Sequence, residues 1–216
     1  MAEPGPRPAS PELELVDYRR RVAGLYRLSG SGEEVCAEFR RERDRLFGTH
    51  PQSALPPEDR GGFKGLDYFP YDPRYRVTTR LQGPAEPGEL EIETGGEDGI
   101  MRYRRTGTVE VSLPEGVAQL SIYWLEAYGG GLFLAFRDAT SGSLTYGGGR
   151  YLFDTIKGTD GLCLELGSSP GELTLDFNYA YNPSCAYDSR WACPLPPREN
   201  WLSFPVSAGE KAYSGS

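Results

Sequence analysis

From Val77 to Phe177 the core-forming residues recur at every second position, and this period limits the folds open to the chain more than any other feature. Val77, Thr79 and Leu81 alternate, as do Leu90 and Ile92, then Val109, Val111 and Leu113, then Leu120, Ile122 and Trp124. Leu132, Leu134 and Phe136 continue the pattern, followed by Tyr151 and Phe153, by Leu162, Leu164 and Leu166, and by Leu173, Leu175 and Phe177. Residues two apart on a strand share one face, so each group offers a face to a core. The intervening turns, GGEDG, SLPEG, YGGG, KGTDG and SSPGE, are too short to hold the crossover helices of a parallel sheet. Seven or eight antiparallel strands are therefore expected. The fold class is mainly β, or α+β: an antiparallel barrel or a two-sheet sandwich with an N-terminal helical hairpin. A closed sheet would enclose an interior pocket and remove edge strands.

Residues 1–11 are proline-rich without an apolar anchor and are expected to be a disordered tail, as is AYSGS at the other end. One domain is expected over 12–213. It divides into a helical hairpin (12–47), an extended wrap (48–75), and a region of sheet and motif loops (76–213). In the hairpin, Leu15, Tyr18, Val22 and Leu25 form one helical face. Ser31 and Glu34 have capping-box spacing ahead of a second helix running to about Phe47. Five prolines between Pro51 and Pro73 exclude long regular elements from the wrap.

A chain of 216 residues with 14 tyrosines, 9 phenylalanines and 3 tryptophans has material for a core without a metal or disulfide. Its net charge of -8 argues against non-specific binding to nucleic acid or to anionic membrane, both of which need positive surface potential. No apolar run reaches secretory or bilayer-spanning length, so a cytoplasmic setting is expected. In that compartment Cys36, Cys163, Cys185 and Cys193 are expected as free thiols.

The segment Asp176–Asn200 is polar and aromatic yet braced by four prolines and two cysteines. Irregular backbone held on a strand scaffold is a frequent place for functional groups. Asn178, Asn182, Tyr187 and Trp191 lie in it, able to line a ligand pocket or to hold the loop down. A second segment, residues 132–154, carries Asp138, Tyr146, three glycines, Arg150 and Asp154. It lacks the GxxxxGK[ST] pattern and the strand, loop, helix order of a phosphate loop, and it is not a dinucleotide fingerprint. Arg150 can clamp an anionic group bidentately, or it can pair with Asp138 or Asp154. The two segments are expected to meet in space.

His50 is the only histidine, so an imidazole proton shuttle would have to be His50; its structural alternative is to fix the wrap. Cys185 and Cys193 are spaced too widely for a zinc knuckle, and they read as either a nucleophile beside Arg190 or a pair of buried small hydrophobes. No metal or cofactor is expected. The function reading is binding of a small anionic or polar-aromatic organic molecule, with metal-independent acid-base catalysis as its extension. Arg150 would then clamp the ligand, with Asp138, Asp154 or Asp176 as base, Tyr146 or Tyr187 positioning, and His50 moving the proton. The rivals are a non-catalytic binding module and a structural or interaction protein with a buried polar network. Homodimerisation is left open.

FKGLDYFPYDPRYRV at 63–77, LFLAFRDATSGSLTYGGGRYLFD at 132–154, LDFNYAYNPSCAYDSRWACPLPPREN at 175–200 and AGEKAY at 208–213 resemble an uncharacterised prokaryotic family catalogued as domain of unknown function 1684. Asp138, Thr140, Tyr146, Gly149, Arg150, Asp154, Asp176, Asn178, Asn182, Cys185, Tyr187, Cys193, Glu199, Asn200 and Glu210 look like its motif residues. The resemblance implies no activity, cofactor or partner.

Overall fold

The computed structural model describes residues 10–83, 89–93 and 100–214. Helix α1 spans Pro11–Leu25; the Ser10 hydroxyl accepts the Leu13 N–H at 3.3 Å, and Pro11, Glu12 and Glu14 occupy the first turn, where a missing N–H and negative charge both suit the helix. Residues 1–9 of the expected tail lie outside the described residues, while Ser10 and Pro11 begin this helix. Helix α2 spans Glu33–Thr49 and buries Cys36, Phe39, Arg43, Leu46 and Phe47 along one stripe. Its N-cap is Gly32, at φ +98°, with no side-chain cap, so the capping box expected of Ser31 and Glu34 does not form. Glycine takes this left-handed backbone without the Cβ clash that other residues meet, and the turn is entered by conformation instead of by a side-chain acceptor.

The strands are β1 (Arg76–Arg80), β2 (Glu89–Glu93), β3 (Ile100–Leu113), β4 (Gly116–Leu125), β5 (Gly131–Phe136), β6 (Arg150–Asp154), β7 (Leu164–Leu166) and β8 (Glu172–Asp176). They form two antiparallel sheets, ordered β1-β8-β7 and β2-β3-β4-β5-β6, in a sandwich-type α+β arrangement. The described strands do not close into a barrel. The GGEDG turn and the facing of Leu90 and Ile92 lie outside the described residues and side chains.

Val109, Val111, Leu120, Ile122, Leu134, Phe136, Leu175 and Phe177 meet Tyr26 of the α1–α2 turn and Phe39 of α2 in the main core. A second aromatic cluster of Tyr103, Tyr123, Phe133, Tyr151 and Tyr181 covers the other face of the larger sheet. Covering both faces breaks the period of two: Leu152 is buried between Tyr151 and Phe153, while Trp124, expected to point inward with Ile122, is exposed. Burial of Leu152 and Tyr123 on opposite faces gains more apolar area than strict alternation would.

The two sheets join where Gln82 and Thr108 exchange backbone hydrogen bonds of 2.8 and 2.9 Å, beside a bulge in β3 between Arg105 and Gly107. A Cβ on Gly107 would stand 2.2 Å from the Gln82 carbonyl oxygen and 2.8 Å from the Leu81 side chain. Gly107→Ala must therefore push the sheets apart. We expect it to lower the urea midpoint at unchanged slope, with a loss of about 1–3 kcal/mol.

Candidate functional site

The two motif segments meet. Tyr151 and Tyr181 exchange backbone hydrogen bonds of 2.8 and 2.9 Å, and the Tyr151 hydroxyl donates to the Pro194 carbonyl at 2.6 Å. Gly149, at φ +89°, carries the chain so close beneath Pro196 that a Cβ would come within 2.7 Å of its ring and of the Phe136 carbonyl. This close approach delivers Arg150, the first residue of β6, into the interior.

Arg150 is fully buried, and its guanidinium is engaged on two sides. Nη2 donates to Asp138 Oδ2 at 2.7 Å and to the Val206 carbonyl at 2.9 Å; Nη1 donates to the Glu210 carbonyl at 3.2 Å and to that of Ala208. Burial draws the Arg150 pKa down while the Asp138 carboxylate opposes it. Asp138 Oδ1 in turn accepts the Thr140 N–H at 2.6 Å and its hydroxyl, and Thr140 shares a 2.8 Å hydrogen bond with Thr145. The ligand clamp and one of the proposed bases thus bind each other and the C-terminal segment.

A second buried cluster centres on Glu210. Its carboxylate accepts from Arg43 Nη2 at 2.8 Å, from Asn182 Nδ2 at 3.0 Å, from the Asn182 N–H at 3.2 Å and from the Tyr187 hydroxyl. Arg43 also donates to the Tyr187 hydroxyl at 3.2 Å and lies over the rings of Phe47 and Tyr181. Burial is the largest single influence and disfavours its charge, yet Glu210 together with the Tyr187, Tyr68 and Tyr26 hydroxyls outweighs it and holds the pKa high. Burial raises the Tyr187 hydroxyl well above the ordinary tyrosine range, and Glu210 pushes it the same way. Among the described residues the buried hydroxyls of Tyr26 and Tyr68, and Asn182 Oδ1, have no hydrogen-bond partner.

Arg43 was absent from the site expected of the sequence, and Glu210 entered only as a motif residue. The signal for Arg43 was present: it sits four residues after Phe39 and four before Phe47, within the apolar stripe of α2, where an arginine must be paired. Glu210 offers no such signal, because its segment has no period.

The other expected site residues are dispersed. His50 caps the end of α2, where Nε2 lies 3.1 Å from Asp17 Oδ2 and Nδ1 accepts the Gln52 N–H at 3.0 Å. That pattern assigns the ring proton to Nε2 and ties α1 to the wrap. Asp154 Oδ1 accepts the N–H groups of Ile156 and Lys157 in the turn after β6. Tyr146 donates to Cys185 Sγ at 3.6 Å, and Trp191 Nε1 to the Ala54 carbonyl at 3.3 Å. Asn178 spans from Asp176 Oδ1, which it approaches with both N–H and Nδ2 at 2.9 Å, to the Asp72 backbone, where it closes both a donor and an acceptor. A concavity of about 430 Å³ lies elsewhere, between β1 and β3, lined by Thr79, Arg80, Gln82 and Glu110 and by none of the expected site residues. Among the described residues no group of three or more histidine, cysteine, aspartate or glutamate side chains is placed to hold a metal ion, and no helix is long and apolar enough to cross a membrane.

Burial raises the Asp176 carboxyl above its ordinary range, against the lowering pull of the two Asn178 hydrogen bonds. A raised folded-state pKa contributes stability below the unfolded value of about 4 and loses it as pH rises through the folded value. Asp176→Asn retains the Oδ1 acceptor and removes this loss. We expect its urea midpoint at pH 7 to equal or exceed that of the parent, with a flatter pH dependence from about pH 4 upward; a large drop at pH 7 would show that the ionised carboxylate is needed.

The buried polar and aromatic networks make this an internally stabilised domain. No curated protein matches the chain. An uncharacterized protein of Haloarcula marismortui, whose structure was solved in solution by NMR, is 39% identical, with a TM-score of 0.58; the match covers 83% of this chain and 93% of that one. Residues 61–211, which hold both motif segments, Arg150 and Glu210, match the family described as protein of unknown function (DUF1684), and the chain belongs to that family.

Proposed function

We propose that the chain is a structural or interaction domain whose conspicuous polar residues serve to fix irregular backbone, and not to turn over a substrate. The observation that carries this reading is the Arg150 guanidinium, fully buried and bound to Asp138 and to three carbonyls of one segment. A clamp for an incoming anion needs free donors facing an opening, whereas these donors face the chain itself. Asp138, Asp154 and Asp176 each accept local hydrogen bonds at separate places. The acidic balance and the free thiols suit a cytoplasmic setting without nucleic-acid partners.

Arg150→Lys tests this directly. A lysine ammonium is a point donor and cannot span Asp138 and three carbonyls. We expect folding stability to fall by about 2–4 kcal/mol in urea titration, since buried acceptors lose their partners. An unchanged midpoint would overturn the reading, as would a metabolite whose stabilising effect disappears in an otherwise stable Arg150→Lys protein.

One observation favours a second reading, a binding module for a small anionic or polar-aromatic molecule. The Tyr26 and Tyr68 hydroxyls and Asn182 Oδ1 are buried without partners, within electrostatic range of Arg43 and Glu210 or, for Asn182, in direct contact with Glu210. Burying a hydroxyl unpaired costs about 1–3 kcal/mol. Tyr68→Phe therefore separates the two: a rise in melting temperature is expected of the structural domain, while loss of a metabolite-induced thermal shift is the mark of the binding module.

A further inference from the structure

Cys185 and Cys193 are used by neither buried network, and their surroundings differ from those of the other two cysteines. Cys36 and Cys163 are buried, whereas Cys185 and Cys193 are half-buried in the proline-braced loop; all four are free. Cys185 sits in the short helical turn Ser184–Ala186, and Cys193 in the irregular stretch leading to Pro194. The Cys185 N–H donates to Cys193 Sγ at 3.4 Å. The Tyr146 hydroxyl donates to Cys185 Sγ from the other motif segment. Cys193 Sγ thus accepts a backbone N–H, a contact that favours the thiolate.

We propose that Cys185 and Cys193 form a redox site: a dithiol that exchanges with low-molecular-weight disulfides, with Cys193 as the attacking sulfur and Cys185 as the resolving one. The Cys193 thiolate attacks one sulfur of the disulfide RSSR, forming a mixed disulfide and releasing RS⁻. Cys185 then gives up its proton, and its sulfur attacks Cys193 Sγ, expelling the second RS⁻. The two leaving thiolates take up the two protons shed by the cysteines, so one RSSR is reduced to two RSH while the protein dithiol becomes a disulfide. Excess thiol drives the same steps backwards.

Hydrogen bonding from Cys185 is the largest influence on Cys193 and draws its thiol below the ordinary cysteine range against the effect of burial; the Lys157 charge adds to this, and Cys185 is raised in return. The division of roles follows from this asymmetry. Between the two cysteines in the sequence stand Tyr187, which donates to Glu210, and Trp191, which donates to Ala54, so the cross-link would close a loop already anchored at both of those points.

The test uses the full-length reduced protein, exposed to glutathione disulfide at neutral pH, then unfolded and alkylated. Two alkylatable thiols are expected, Cys36 and Cys163, together with a linked peptide joining Cys185 to Cys193, and dithiothreitol should restore all four. Cys185→Ser should keep glutathione on Cys193 as a stable mixed disulfide. Cys193→Ser should take it up at Cys185 more slowly, by roughly 10-fold or more. Four alkylatable thiols after exposure, a bond to Cys36 or Cys163, or equal rates in the two variants would overturn the proposal.

Discussion

The segment from Val206 to Glu210 is held to the fold by a side chain where a strand would use a ladder. The carbonyls of Val206, Ala208 and Glu210 all accept from Arg150. Sheet neighbours would supply N–H groups at this spacing; here one planar guanidinium supplies them, and Asp138 balances its charge at 2.7 Å. Arginine suits the task because its five donors are fixed in a fork and its charge is weakly hydrated compared with an ammonium. The opposite edge of the segment pairs with the wrap and with the loop after β8, through Phe69 to Gly209 at 2.9 Å, Lys211 to Asp67 at 2.8 Å and Glu210 to Ala180 at 2.8 Å. Gly209, at φ +74°, is required there, since a Cβ would lie 2.5 Å from the Ala180 carbonyl oxygen.

Placing this segment also places Glu210, and through it the helices. Glu210 gives its backbone carbonyl to Arg150 and its carboxylate to Arg43 of α2, to Asn182 and to Tyr187. The helical hairpin, the proline-braced loop and the sheet are thereby tied to one residue. A buried ion pair of this kind is weak evidence of stability in itself, because desolvation offsets much of the attraction. Its consequence is selective: a packing of α2 that buried Arg43 away from Glu210 would leave the guanidinium unpaired. Arg40, one helical turn earlier, adds a donor to the Phe69 carbonyl at 2.9 Å.

The strands were legible because sheet formation acts on every second residue, and a face packed against a core cannot conceal that pattern. All eight expected groups correspond to strands, from Val77 in β1 to Leu175 in β8. Legibility fell where both faces are covered, as in β6, where Arg150, Tyr151, Leu152 and Phe153 are all buried. It fell again at the start of α2, where glycine conformation replaced the expected serine cap. AYSGS was expected to be disordered, yet the Ala212 N–H donates to the Leu144 carbonyl at 2.9 Å and the Tyr213 ring packs at a tilt against Tyr187. For the site, the residues were found but their roles were not readable. Asp138 and Arg150 have the same letters whether they face a ligand or each other, and only the fold decides which.

The irregular backbone explains why so many polar residues are gathered in these motifs. The wrap and the segments after β8 contain little regular structure, and a buried carbonyl or N–H without a ladder must find a side-chain partner. Asn178 serves Asp72, Asn182 serves Lys211, Tyr151 serves Pro194 and Trp191 serves Ala54. Asn200 serves the Ser121 N–H and the carbonyls of Ser121 and Ala135, where β4 and β5 have ceased to pair. In each case the side chain reaches a backbone group distant in sequence. The polar motif and the scarcity of regular structure are thus two expressions of one constraint, and the cysteine pair, which serves no such carbonyl between segments, is the part of the loop that this constraint does not explain.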